Sequence, residues 1–278
     1  MANTLTGTPA AAAIYVQVRT RAALLDAPPC LAAVSVGAQP DDLAYLRSIA
    51  QAAAGCGVAV RPVPLPADCA PEALTDTLRA LSTDGAVHGV LLLRPLPEAL
   101  RAQEMLDTLD ARKDVDGMTT ASLGALVTGA AGFAPCTAEA CMELLRAHGI
   151  DPAGRRVTVV GRSLVIGRPA ALLLTRADAT VTLCHRKTPD LAARCRDADI
   201  LLAAAGAPGL ITTDFVRPGQ IVLDAGATAL PDGTLRGDVA PEAAAIAVCT
   251  PVPGGIGSVT TALLLRHTVQ AAENLRHF

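Results

Sequence analysis

Tryptophan is missing from this 278-residue sequence, and two tyrosines with three phenylalanines bring the aromatics to only 2%. A stacking platform for nucleic-acid bases is thereby excluded, and the interior has to be filled by Ala, Val, Leu and Ile. Lysine is almost as scarce: of 23 basic residues only Lys113 and Lys187 are lysines, so chemistry that needs an amine has two candidates. No basic block exists, and the net charge is −3, which argues against polyanions and nucleic acid as partners. The eight cysteines, at 30, 56, 69, 136, 141, 184, 195 and 249, include no CxxC pair, which suits reduced, buried thiols and not a zinc or disulfide framework. His88, His148, His267 and His277 lack paired metal spacing and read as core or surface histidines, so no metal is expected. Cys136 and Tyr15 read as packing residues.

Long apolar runs are also wanting. The uncharged stretch from Ile200 to Thr213 falls short of the ~20 residues that span a bilayer and is broken by Gly206, Pro208 and Gly209. No membrane span is expected, and Met1 to Ala13 carries no basic segment before an apolar one, so a cytoplasmic location is expected.

What is present is a hydrophobic content of 51% with 18% charge, in a length that suits about two domains at roughly 150 residues each. Aliphatic runs at Leu31–Val36, Val58–Val63, Val87–Leu93, Arg156–Val160, Ala179–Cys184, Ile200–Ala204, Gln220–Asp224 and Ala245–Cys249 read as buried parallel strands. Helical patterns at Pro40–Ala54, Ala70–Leu81, Thr137–His148 and Gly167–Thr175 alternate with them. The order is βα repeated, which predicts an α/β fold with parallel sheets and right-handed crossovers. Breaks at Gly129–Pro135 and Thr250–Gly257 suggest boundaries, with Thr137 expected to cap a helix and Ser258–Leu275 expected to form the last one, packed back on the first domain. The junction of the two domains is the expected ligand site.

The sharpest local signal is Arg156-Arg-Val-Thr-Val-Val-Gly161-Arg162-Ser163-Leu-Val-Ile-Gly167-Arg168-Pro169, a strand entering a glycine turn and then a helix. Such a corner aims backbone N–H groups at a pyrophosphate, although its GxxxxxG spacing matches the GxGxxG fingerprint only in part. The next strand ends in Cys184-His185-Arg186-Lys187, so Arg162 and Arg186 gather where an adenosine ribose would sit. An acidic residue there would hold a free 2′-hydroxyl, whereas arginines favour a 2′-phosphate, and NADP is therefore expected over NAD.

Three further motifs complete the set: Lys113-Asp-Val-Asp116-Gly117, Pro135-Cys136-Thr137 and Pro251-Val-Pro253-Gly254-Gly255-Ile-Gly257. With Val36-Gly37, Tyr45, Gly89-Val-Leu, Pro95-Leu96-Pro97, Asp224 and Gly237-Asp-Val239, the sequence from about Leu31 to Val269 resembles the methylenetetrahydrofolate dehydrogenase/cyclohydrolase family. The resemblance implies an N-terminal α/β catalytic domain (1–136 plus 258–278) and a Rossmann-like NAD(P)-binding domain (137–257), usually in a homodimer. It also implies oxidation of 5,10-methylenetetrahydrofolate with NADP, followed by hydrolysis of the methenyl product to 10-formyltetrahydrofolate. By that likeness Tyr45 covers the substrate, Asp116 holds the pterin, Pro253, Gly254 and Gly255 border the folate, and Gly161, Arg162, Ser163, Gly167, His185 and Arg186 hold the cofactor.

Two positions depart from the family. Ile49 stands four residues after Tyr45, where the family has its Lys, and Leu93 stands where the family has the Gln that bonds that Lys. An i,i+4 pair shares a helix face, so an aliphatic group replaces a proton carrier beside Tyr45, and neither Ile nor Leu can serve acid–base chemistry. Arg47 points elsewhere round the helix, and Arg94, in an extended segment, is expected to face away from Leu93. Hydride transfer asks chiefly for positioning, so oxidation is expected to survive while hydrolysis is lost. Retention of both activities, a different substrate, and a non-catalytic nucleotide-binding protein are the alternatives. Ser258, where the family usually has Pro, is a further departure.

Overall fold

The computed structural model describes residues 4–230 and 232–276, so His277 lies outside the described residues. The chain divides into two compact units, one formed by Ala13–Cys136 with the residues from Thr261 onward, the other by Thr137–Thr260 with the residues up to Ala12.

The first part of the chain contributes α1 (Thr8–Ala22), β1 (Cys30–Val36), α2 (Pro40–Ala54), β2 (Ala59–Leu65), α3 (Pro71–Thr83), β3 (Gly89–Leu92), α4 (Gln103–Leu106) and α5 (Thr120–Thr128). Its three strands are parallel in the order β2-β1-β3. Central β1 buries Leu31 through Val34 completely. In contrast β2, expected as a buried strand, is a half-exposed edge. Pro62 and Pro64 explain this, because a residue without an N–H is tolerated where one side of the strand needs no partner.

The chain continues through α6 (Cys136–Ala147), β4 (Arg156–Val160), α7 (Gly167–Arg176), β5 (Thr180–Cys184), α8 (Leu191–Asp197), β6 (Ile200–Ala203) and β7 (Ile221–Asp224). A small hairpin, β8 (Thr228–Ala229) with β9 (Leu235–Arg236), then leads to α9 (Pro241–Ile246), β10 (Val248–Cys249) and α10 (Ile256–Leu275). Five parallel strands run β10-β7-β6-β4-β5. The chain steps from β4 out to β5 on one side, then crosses back past β4 to β6 and β7 on the other, which makes the carboxyl ends of β4 and its neighbours a topological switch point.

Three local expectations change. Thr137 lies inside the first turn of α6, which starts at Cys136 directly after Pro135, so it does not cap the helix. Of Ala245–Cys249 only the last two residues are strand, because Pro241 starts a helix that runs through Ile246. The N-terminal segment, expected with the first domain, is instead bonded into the second unit: Leu5 N–H donates to Cys249 O (3.0 Å) and Gly7 N–H to Gly254 O (2.9 Å). Six of the eight cysteines are buried, as expected.

Candidate functional site

In the unit of Ala13–Cys136, the Lys113–Gly117 loop is laid along β3: Val90 N–H donates to Lys113 O (2.8 Å). Asp114 is buried and takes Thr119 N–H (2.7 Å), while Thr119 Oγ1 caps α5 by accepting from Ser122 N–H (3.2 Å). Gly117 has φ +67°, and a Cβ there would lie 2.5 Å from Ala134 C, so only glycine lets the loop turn. Together these bonds leave Asp116 at the tip of a fixed turn.

Asp116 is half-buried, and its carboxyl is pushed up to about 7. Burial is the largest cause and Asp114 adds to it; Arg94, a hydrogen bond with the Cys136 thiol, and His267 oppose it. Tyr45 presents its ring to solvent, at 39% exposure, but its hydroxyl end is enclosed and bonded to Thr261. Burial, then the nearby Asp116 and Cys136, raise the Tyr45 hydroxyl well above its usual range. His267, whose charge acts on Asp116, has its Nδ1 2.8 Å from Val115 O and 3.5 Å from Cys136 Sγ, with its ring tilted against Phe133 at 4.9 Å.

The sequence singled out Tyr45 and Asp116, and the fold brings both into one electrostatic neighbourhood. It did not single out Thr261, Arg94 or His267. Only a helix-period reading of α10 aligned with the Asp116 loop would have found Thr261 and His267, which are far from that loop in sequence. Arg94, which follows the end of β3 at Leu92, is close enough for its charge to act on Asp116. Ile49 is completely buried and Leu93 nearly so, an aliphatic pair with no proton to give.

Lys113 has a structural task. Its Nζ donates to Leu81 O (3.0 Å) and Asp84 O (2.8 Å), closing the C-terminal end of α3, where a cation is favoured. Lys113→Met is expected to lower stability by about 2 kcal/mol, since one buried and one part-buried carbonyl lose a charged donor. Urea denaturation checks this; an unchanged midpoint would remove the assignment.

The cofactor-type residues fall in the other unit. Gly161 has φ +122°, and its N–H donates to Cys184 O (2.9 Å), which joins the ends of β4 and β5. A Cβ on Gly161 would come within 1.9 Å of Ala204 O, and one on Gly167 within 2.0 Å of Gly161 O. Three backbone segments therefore meet at this corner with no room for a side chain. Arg162, Ser163 and Arg186 are exposed there. Ser163 Oγ accepts from Ile166 N–H (3.1 Å), shaping the entry to α7. His185 shapes the β5 turn: its N–H donates to Thr188 Oγ1 (2.9 Å) and its Nδ1 accepts from Lys187 N–H (3.1 Å).

Pro253, Gly254 and Gly255 also belong to this unit, in a turn with φ +97° at Gly254. Ser258 Oγ donates to Gly255 O (2.8 Å), so the hydroxyl ties the turn to the first residues of α10. Among the described residues no group of three or more His, Cys, Asp or Glu side chains could hold a metal ion. No helix among them is long and apolar enough to cross a membrane.

A doubly wound parallel sheet with a side-chain-free glycine corner flanked by arginines defines a dinucleotide-binding α/β protein, here joined to a second α/β unit carrying a carboxyl that titrates near neutrality. The chain belongs to the tetrahydrofolate dehydrogenase/cyclohydrolase family, whose catalytic-domain model matches residues 5–116 and whose NAD(P)-binding-domain model matches residues 135–276. It is 46% identical over 263 residues to the bifunctional protein FolD of Chloroflexus aurantiacus, covering 94% of this chain and 91% of that protein. Bifunctional protein FolD 1 of Rhodococcus jostii is 50% identical over 248 residues, covering 88% and 83%. The crystal structure of the Trypanosoma brucei methylenetetrahydrofolate dehydrogenase-cyclohydrolase, complexed with NADP and an inhibitor, superposes with a TM-score of 0.93 at 35% identity, over 100% of this chain and 99% of that one.

Proposed function

We propose that this protein oxidises 5,10-methylenetetrahydrofolate to 5,10-methenyltetrahydrofolate with NADP. The observation that carries this is the pairing of a family-matched chain with a glycine corner that no side chain can enter and two exposed arginines beside it. Gly161 and Gly167 allow close backbone approach to a pyrophosphate, and Arg162, Ser163 and Arg186 would hold the 2′-phosphate end. When bound, the dinucleotide supplies the hydride acceptor. A hydride leaves the one-carbon bridge with its electron pair, and the nitrogen lone pairs of the folate stabilise the cation that remains. Asp116 accepts hydrogen bonds from the pterin edge, Tyr45 covers the ring, and Thr261 fixes the Tyr45 hydroxyl. These residues contribute position more than proton transfer.

The kinship with proteins named bifunctional, at 46% and 50% identity, favours hydrolysis to 10-formyltetrahydrofolate as a second activity of the chain. One local feature favours oxidation alone: Ile49 and Leu93 are buried aliphatic side chains, and if they stand at the family's Lys and Gln positions, as the resemblance implies, neither can deliver a proton to a hydrated methenyl carbon. Purified protein given NADP and methylenetetrahydrofolate is expected to form NADPH and the methenyl species, and absence of NADPH would refute the proposal. The same protein mixed with the methenyl compound decides the second activity: accelerated loss over buffer establishes hydrolysis, and loss at the buffer rate establishes oxidation alone. Calorimetry showing NADP binding without folate oxidation would instead indicate a nucleotide-binding protein.

A further inference from the structure

Just beyond β6, the N–H groups of three successive residues converge on one side chain. Asp238 Oδ2 accepts from Ala205 N–H (2.5 Å) and Gly206 N–H (3.0 Å), and Oδ1 accepts from Ala207 N–H (2.8 Å). Asp238 is 0% exposed. Consecutive N–H groups of this kind form a concave nest suited to an anion, and here the protein fills it with its own carboxylate. The carboxylate is itself held from behind. Asp224 Oδ1 accepts from Gly226 N–H (3.0 Å) and Asp238 N–H (2.9 Å), and Asp224 Oδ2 accepts from Val239 N–H (2.9 Å). Gly237 and Gly226 leave no space for error: a Cβ would lie 2.0 Å from Asp224 Oδ2 in the first and 2.5 Å from Asp238 Oδ1 in the second.

The loop so anchored is the one on which the glycine corner rests, because a Cβ on Gly161 would strike Ala204 O and lie 3.2 Å from Ala205 N. Ala204 N–H also donates to Val160 O (2.8 Å), the residue before that corner. We propose that Asp238 is a positioning residue for the dinucleotide: by occupying the nest at Ala205–Ala207 it fixes the loop beside Gly161 and denies that nest to the cofactor's phosphates, which are thereby confined to the Gly161–Gly167 corner. The inference rests on the NADP reading, and the experiment separates the two.

Wild-type protein is first titrated with NADP by calorimetry; no binding there refutes the NADP reading and leaves the nest to be judged in the cofactor-free protein. In Asp238→Ala the three N–H groups lose a charged acceptor, so NADP affinity is expected to fall about tenfold or more while the KM for the folate substrate stays within about twofold. Formate, a carboxylate small enough for the vacated space, is expected to restore NADP affinity in Asp238→Ala and to do nothing for wild type or Asp238→Asn, whose amide fills the space. In cofactor-free Asp238→Ala, amide hydrogen exchange at 205–207 is expected to speed up, and formate to slow it again. Should Asp238→Ala fail to fold, recovery of folding in formate supports the proposal and failure to recover overturns it. Wild-type NADP affinity in Asp238→Ala with unchanged exchange at 205–207 overturns it, and so does a loss that formate does not reverse.

Discussion

Replacing Asp116 with Ala is expected to reduce kcat/KM for the folate about 10²- to 10³-fold, because the two charge-assisted hydrogen bonds proposed between its carboxylate and the pterin would be lost at about 1.5–2 kcal/mol each. The NADP affinity measured without folate should not change. The same carboxyl sets a pH dependence. Its pKa of about 7 in the folded protein means that the free site is half protonated at neutrality, and a protonated acid is a poorer acceptor for the pterin's donors. Thus kcat/KM for the folate should fall about tenfold per pH unit below that value while kcat, measured at saturation, falls less. The sign for stability runs the other way. Raised above its ordinary 3.8, the group binds more protons folded than unfolded between the two values, so its contribution is greatest below 3.8, diminishes as pH rises through the window, and is lost above about 7. Asp116→Asn should therefore be more stable than wild type at about pH 8, and the difference should shrink toward pH 4. Urea midpoints across that range check this, and a flat difference would show that the carboxyl titrates normally.

Gly161→Ala is expected to remove NADP binding and to cost about 3 kcal/mol of stability, the sum of an unfavourable backbone and forced overpacking. At φ +122° an L side chain is strained whatever the space, and the added Cβ would sit 1.9 Å from Ala204 O, a backbone atom that cannot swing aside. Gly85→Ala makes a clean comparison: it has no positive φ and nothing within 4 Å of a Cβ, so it should lie within about 0.5 kcal/mol of wild type. Thermal unfolding and calorimetry read both effects. Wild-type NADP affinity in Gly161→Ala would mean that the corner relaxes, and that the crowding between β4 and β6 does not govern the cofactor.

The βα order was legible because its signals are local. Arg156–Val160 is a strand end to end as its aliphatic run indicates, and Pro40–Ala54 is a helix over its whole predicted span. Gly161 and Gly167 stood out in the sequence as a βα corner, but the reason only glycine fits, the carbonyl of Ala204, lies more than forty residues away. Asp224 and Gly237-Asp-Val239 were visible as motifs without a task, because a carboxylate that accepts three main-chain N–H groups looks like any other aspartate in sequence. His267 read as an ordinary histidine for the same reason: its partners Val115 and Cys136 come from a different stretch of chain.

By itself the sequence determined the α/β class, the glycine corner, the arginines beside it and the aliphatic residues at positions 49 and 93, since each follows from residue type and short spacing. Only tertiary structure decided that Asp116 titrates near neutrality, that Arg94 bears on it, that Ile49 is sealed from solvent and that Asp238 fills a nest of backbone N–H groups. Those properties depend on burial and on groups that folding brings together from distant parts of the chain, and local spacing carries no record of either.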